Sequence, residues 1–153
     1  YLVANESTVN KLMQFKEPWT VNTFAQIAGQ VAINDVEFAS NTREYMSGEK
    51  AFLYEGLSKI NGIRPFQPSV NFILVRIDNV EITSSEIQDL LIKDNIFIRD
   101  CSNFIGLSEK YFRVAVKTRD ENQKLLRALK LVMDSVIFDE TDQRGFVQEY
   151  IAG

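Results

Sequence analysis

The chain has 153 residues and a net charge of −4, with 45% apolar and 25% charged residues, no histidine and one cysteine. That length allows one proper core, and no apolar run approaches the roughly 20 residues that span a bilayer. The acidic balance argues against a nucleic-acid partner. The missing imidazole removes Ser-His and Cys-His catalysis and most metal sites, and the lone Cys101 leaves no internal disulfide and points to a cytoplasmic home.

In chain order, Tyr1 to Ala4 reads as a strand met in mid-course, so the chain is expected to be a piece of something longer. Asn5 to Phe15 carries Val9, Leu12 and Met13 at helical spacing and stops at Glu17-Pro18, because proline disfavours helix just before it. From Thr20, Phe24, Ile27, Ala28 and Val31 mark a second helix. After Asn34-Asp35, a long third runs through Phe38, Tyr45, Phe52, Leu53, Leu57 and Ile60 to Asn61-Gly62. Ile63 to Phe66 predicts a short strand, and Val70 to Ile77 one apolar enough to be covered on both faces. Thr83-Ser84-Ser85-Glu86 is a capping box that opens a helix to about Asp94. Ile96 to Arg99 and Tyr111 to Lys117 are the next strands. Thr118 to Glu121 is a second capping box, ahead of a helix bearing Leu125, Leu126, Leu129, Val132, Met133 and Val136. From Ile63 the order strand, strand, helix, strand, strand, helix predicts a two-layer α+β fold, a small mixed or antiparallel sheet covered by helices. The stretch 138–153 has no assigned role.

The residues that could carry chemistry cluster late in the chain. Alternation puts Phe112, Val114 and Val116 on one strand face and Tyr111, Arg113, Ala115 and Lys117 on the other. Arg113 then points away from the apolar layer, either as a solvated surface arginine or as an anion clamp, since a guanidinium grips two oxygens with parallel donors. Arg99, just ahead of the polar loop Asp100 to Asn103, is placed to converge with it. Asn71 sits in the most apolar predicted strand, as a satisfied structural amide or as a ligand contact. Without a histidine to lower its pKa, Cys101 is read as a packing residue. Trp19 packs or faces a partner subunit. Lys50, Lys59, Lys93 and Lys110 read as solvated.

Four segments, Pro18 to Asn22, Val70 to Arg76, Ile98 to Gly106 and Phe112 to Val116, together resemble fold-type I pyridoxal-phosphate enzymes of aminotransferase class I/II. The nearest subgroup is that of histidinol-phosphate aminotransferase and threonine-phosphate decarboxylase, enzymes of amino-acid and cobalamin metabolism. The resemblance covers Tyr1 to about Val136 and corresponds to the C-terminal part of such an enzyme. It implies that residues 1–34 end the large domain and supply interdomain helices, and that residues 35–137 form the small domain. It further implies a phosphorylated amino compound as substrate and a homodimer. Arg113 matches the family's arginine for the substrate carboxylate, and Arg99 and Asn71 match positions beside the substrate. The Schiff-base lysine and most of the pyridoxal 5'-phosphate site are expected upstream, so this chain alone is not expected to catalyse. The loop from Arg99 to Phe104 looks nearer the decarboxylase. The alternative is a stand-alone α+β ligand-binding or dimerisation module without catalysis.

Overall fold

In the computed structural model the backbone is described for residues 3–18 and 20–151, and side chains as far as residue 138. Trp19 and most of the expected opening strand lie outside the described residues, and Val3 and Ala4 are not in a strand. The chain falls into two compact units, Tyr1–Asn41 and Thr42–Gly153.

The first unit holds helices α1 (Glu6–Met13) and α2 (Thr23–Asn34) and the first turns of α3 (Val36–Ser58). Each begins where a short polar side chain satisfies an orphan amide: Asn5 Oδ1 accepts from the Thr8 N–H, Asn22 Oδ1 from Ala25 and Asp35 Oδ1 from Phe38. Neither α1 nor α2 buries a residue. In α2 this is notable because the helix has no charged residue, and Phe24, Ile27, Val31 and Ile33 are exposed.

The second unit contains the rest of α3, strands β1 (Ile63–Pro65) and β2 (Phe72–Ile77), helix α4 (Ser84–Leu91) with a 3-10 turn over Ile92–Asp94, strands β3 (Arg99–Asp100) and β4 (Tyr111–Ala115), and helix α5 (Arg119–Ile151). The sheet order is β1-β2-β4-β3, and every pairing is antiparallel. One sheet face, made of Ile73, Val75, Ile77, Phe112 and Val114, packs with Leu53 and Leu57 of α3, Ile87 and Leu91 of α4, and Leu129 and Met133 of α5. This is the predicted two-layer α+β arrangement. The capping box on α4 is complete, with Thr83 and Glu86 bonding each other's backbone amides. α5 continues through the stretch beyond residue 138 to Ile151.

The structure corrects three strand readings. β2 is not covered on both faces: Ile73, Val75 and Ile77 are buried, while Phe72, Leu74 and Arg76 are only half-buried. It also starts later than expected, because the ladder ends where the Val116 N–H reaches the Asn71 carbonyl at 2.9 Å, and Val70 is 46% exposed. β3 contains only Arg99 and Asp100. Ile96 and Ile98 are buried as an extended run, with the Ile96 N–H bonded back to the Leu91 carbonyl at the end of α4.

Candidate anion-binding site

The sheet face turned away from the helices carries the charge. Register sets Arg99 of β3 directly opposite Arg113 of β4, and Arg113 opposite Leu74 of β2; in the next row Arg64 faces Arg76, which faces Tyr111. Directly opposed residues share a face with their Cα atoms roughly 5 Å apart, and like charges in that relation are destabilising. The two arginine pairs meet this cost differently. Arg64 and Arg76 share Asp78, whose carboxyl is held below its ordinary range chiefly by the Arg76 guanidinium. Arg99 and Arg113 make no ion pair among the described residues.

Aromatic and amide groups hold these two instead. The Arg113 guanidinium carbon lies 4.3 Å from the centre of the Phe72 ring, a contact that orients the fork without neutralising it. The Arg99 Nη2 donates to Asn103 Oδ1 at 3.3 Å, and its guanidinium lies 5.5 Å from the Phe104 ring. Two guanidinium groups without an acidic partner, on neighbouring strands, have the chemistry to grip a carboxylate or phosphate.

Of the sequence-predicted residues, Arg99 and Arg113 are therefore brought together. Asn71 is not: it is an exposed bend residue before β2, in the alternation with Ile73 rather than Phe72, and its carbonyl serves Val116. Cys101 is 2% exposed, its thiol donates to the Arg99 carbonyl at 3.5 Å, and burial pushes its pKa up, all consistent with packing. Sequence reasoning missed Phe72 as the platform beneath Arg113. Its parity in β2 was readable, but the contact depends on the β2–β4 register, which periodicity within one strand does not reveal.

The end of β4 is fixed by a polar staple to α3. The Asn122 side chain accepts from the Lys117 N–H and donates to the Lys117 carbonyl, both at 3.0 Å, completing the ladder where the strand stops. Its amide also donates to Glu49 Oε2 at 2.9 Å. Glu49, 4% exposed, is gripped by Arg119, whose Nη2 lies 2.8 Å from Oε1 and whose guanidinium carbon lies 3.9 Å from the Phe52 ring centre. The Arg119 guanidinium is the main cause holding the Glu49 carboxyl below its ordinary range.

A sequence profile for the family described as aminotransferase class I and II matches residues 1–129. The chain belongs to this family. Within the class I and II aminotransferases it is 36% identical to the histidinol-phosphate aminotransferase from Clostridium acetobutylicum, whose crystal structure superposes with a TM-score of 0.80 over 86% of this chain and 39% of that one. It is 30% identical to threonine-phosphate decarboxylase from Salmonella typhimurium over 89% of this chain and 37% of that protein. The L-threonine-O-3-phosphate decarboxylase from Porphyromonas gingivalis superposes with a TM-score of 0.73 at 28% identity, over 86% of this chain and 40% of that one. The chain thus spans about two fifths of the length of these relatives.

Aminotransferases of this family depend on pyridoxal phosphate. Four lysines of the second unit are engaged within the chain. Lys110 donates to the Val80 and Ile82 carbonyls and Lys124 to the Asp94 carbonyl, while Lys117 and Lys130 pair with Glu121 and Asp134. Among the described residues no helix is long and apolar enough to cross a membrane.

Proposed function

We propose that this chain is the substrate-clamping, C-terminal portion of a pyridoxal-phosphate enzyme acting on a phosphorylated amino compound. The opposed, unneutralised pair Arg99 and Arg113 carries this reading, since it bears the charge an anionic substrate would neutralise. Arg113, oriented on Phe72, binds the substrate carboxylate, and Arg99 contributes a second fork to the same anionic substrate. The cofactor, held by the upstream part of the longer protein, supplies the electron sink; this chain's arginines fix how the substrate carboxylate stands to it. Relatives named for histidinol phosphate and for threonine phosphate both support a phosphorylated amino substrate. The Arg99-Asp100-Cys101-Ser102-Asn103-Phe104 loop favours the decarboxylase-like outcome. Residues 1–34 belong with the large domain, which accounts for the uncovered apolar side chains of α2. The full enzyme acts as a homodimer.

The test is Arg113→Ala in the full-length enzyme, with substrate affinity measured for O-phospho-L-threonine, which carries the carboxylate. Loss of one partner of a desolvated charge pair costs on the order of 2–5 kcal/mol in binding. Unchanged kinetics would return Arg113 to the role of a solvated surface residue. Carbon dioxide release against 2-oxoglutarate-dependent amino transfer separates the two reactions.

A further inference from the structure

Arg99 and Asp100 are adjacent on a strand of two residues, so their side chains leave opposite faces of the sheet. Arg99 goes to the open face and Asp100 to the side of α4. There, Asp100 Oδ1 accepts from the Ser84 hydroxyl at 2.5 Å and from the Ser102 N–H at 2.9 Å, and Oδ2 accepts from the Ser102 hydroxyl at 2.7 Å. Ser84 is fully buried at the first position of α4, and its own N–H donates to the Glu109 carbonyl at 2.7 Å. One carboxylate therefore joins the start of the loop after β3 to a helix terminus, and Ser84 joins the end of that loop to the same point. The positive end of the α4 dipole favours an anion there.

β3 has little else to hold it. It is an edge strand, tied to β4 by its short ladder and by the Cys101 N–H to the Tyr111 carbonyl at 3.0 Å. Arg99 is exposed, and among the described residues its side chain hydrogen-bonds to Asn103, four residues on in the same loop. The position of its guanidinium thus depends on the backbone that Asp100 fixes. Arg113 sits within β4 between two partner strands and has no such dependence.

We propose that Asp100, braced by Ser84, is a positioning residue that holds Arg99 beside Arg113 for anion binding. This rests on the clamp reading given above, and the experiment separates the two. The dissociation constant of inorganic phosphate is measured by calorimetry on the full-length cofactor-loaded enzyme, for Arg99→Ala, Asp100→Ala, Ser84→Ala and the doubles that pair each of the last two with Arg99→Ala. Asp100→Ala is expected to weaken phosphate about tenfold and Ser84→Ala about threefold, with neither adding to the loss already caused by Arg99→Ala. Asp100→Asn, which keeps an acceptor for Ser84 and for the Ser102 amide, restores most of the affinity. Equal losses with and without Arg99 overturn the positioning role while leaving the clamp intact. If Arg99→Ala does not weaken phosphate, Arg99 is no part of the clamp and the role of Asp100 falls with it, while Arg113 is judged separately by Arg113→Ala. Should Asp100→Ala fail to fold, the Ser84→Ala cycle decides alone, and no effect of Ser84→Ala there counts against the proposal.

Discussion

Asn122 offers a sharp test of what holds the sheet to α3. Asn122→Ala removes two hydrogen bonds to the Lys117 backbone and one to the Glu49 carboxylate. Neutral hydrogen bonds contribute about 1 kcal/mol each and one to a charged group about 1.5–3. Lys117 is exposed enough for water to replace part of this, and Glu49 keeps Arg119, so the expected cost is about 2–3 kcal/mol. Asn122→Asp should cost more, though it is isosteric: it deletes both amide donors and sets a second carboxylate against Glu49. Amide hydrogen exchange on peptides covering β4 and the start of α5 reads the local opening free energy without assuming a single global transition. The excess penalty of aspartate over alanine should shrink as pH falls and one of the two carboxylates takes a proton. If Asn122→Asp is instead milder than Asn122→Ala at neutral pH, side-chain volume rather than the polar network holds this corner, and the reasoning fails.

Two further outcomes follow from local chemistry. Gly62 has φ of 80°, and a Cβ there would lie 2.8 Å from Met133 Cε, so Gly62→Ala should lower stability by roughly 1–2 kcal/mol in thermal or urea unfolding. The Lys117 ammonium, with the Thr118 hydroxyl and amide, holds the Glu121 carboxyl at about 2. Because the folded value is the depressed one, its stabilisation is present above the ordinary glutamate range near ~4.3 and is lost as pH falls toward the folded value. An NMR titration should find this, and Lys117→Ala should move the carboxyl back up. An unmoved midpoint would remove the pair from the account.

Much of the architecture was legible because local signals agreed with it. The α4 capping box, the glycine after α3 and the alternation in β4 each depend on near neighbours in the chain, and each reads through to the structure. Where the reading failed, the missing fact was a partner. The apolar run from Val70 looked buried on both sides, but whether Phe72 and Leu74 meet a helix layer or an open face is decided by which elements stack on the sheet. Ile96 to Ile98 looked like strand; the burial of Ile96 and Ile98 is real, but the ladder with β4 takes in only Arg99 and Asp100, and the Ile96 N–H turns back to the Leu91 carbonyl of α4 instead. The site divides the same way. Arg113 stood out by parity within its own strand, whereas its facing of Arg99 and its seat on Phe72 come from register between strands. Asp100 was visible only as part of a polar loop, because its partner Ser84 lies sixteen residues earlier, at the head of another element.

The two arginines stand on ladder positions at either end of a hairpin, and the Cys101 to Tyr111 backbone bond closes it just inside them. The tip residues Ile105, fully exposed, and Gly106 take no part in that ladder. This separates two evolutionary tasks. The tip can change in length and chemistry, while the spacing of the guanidinium groups stays as the ladder sets it. Sequence drift at the tip is therefore expected to leave the arginine pair in place.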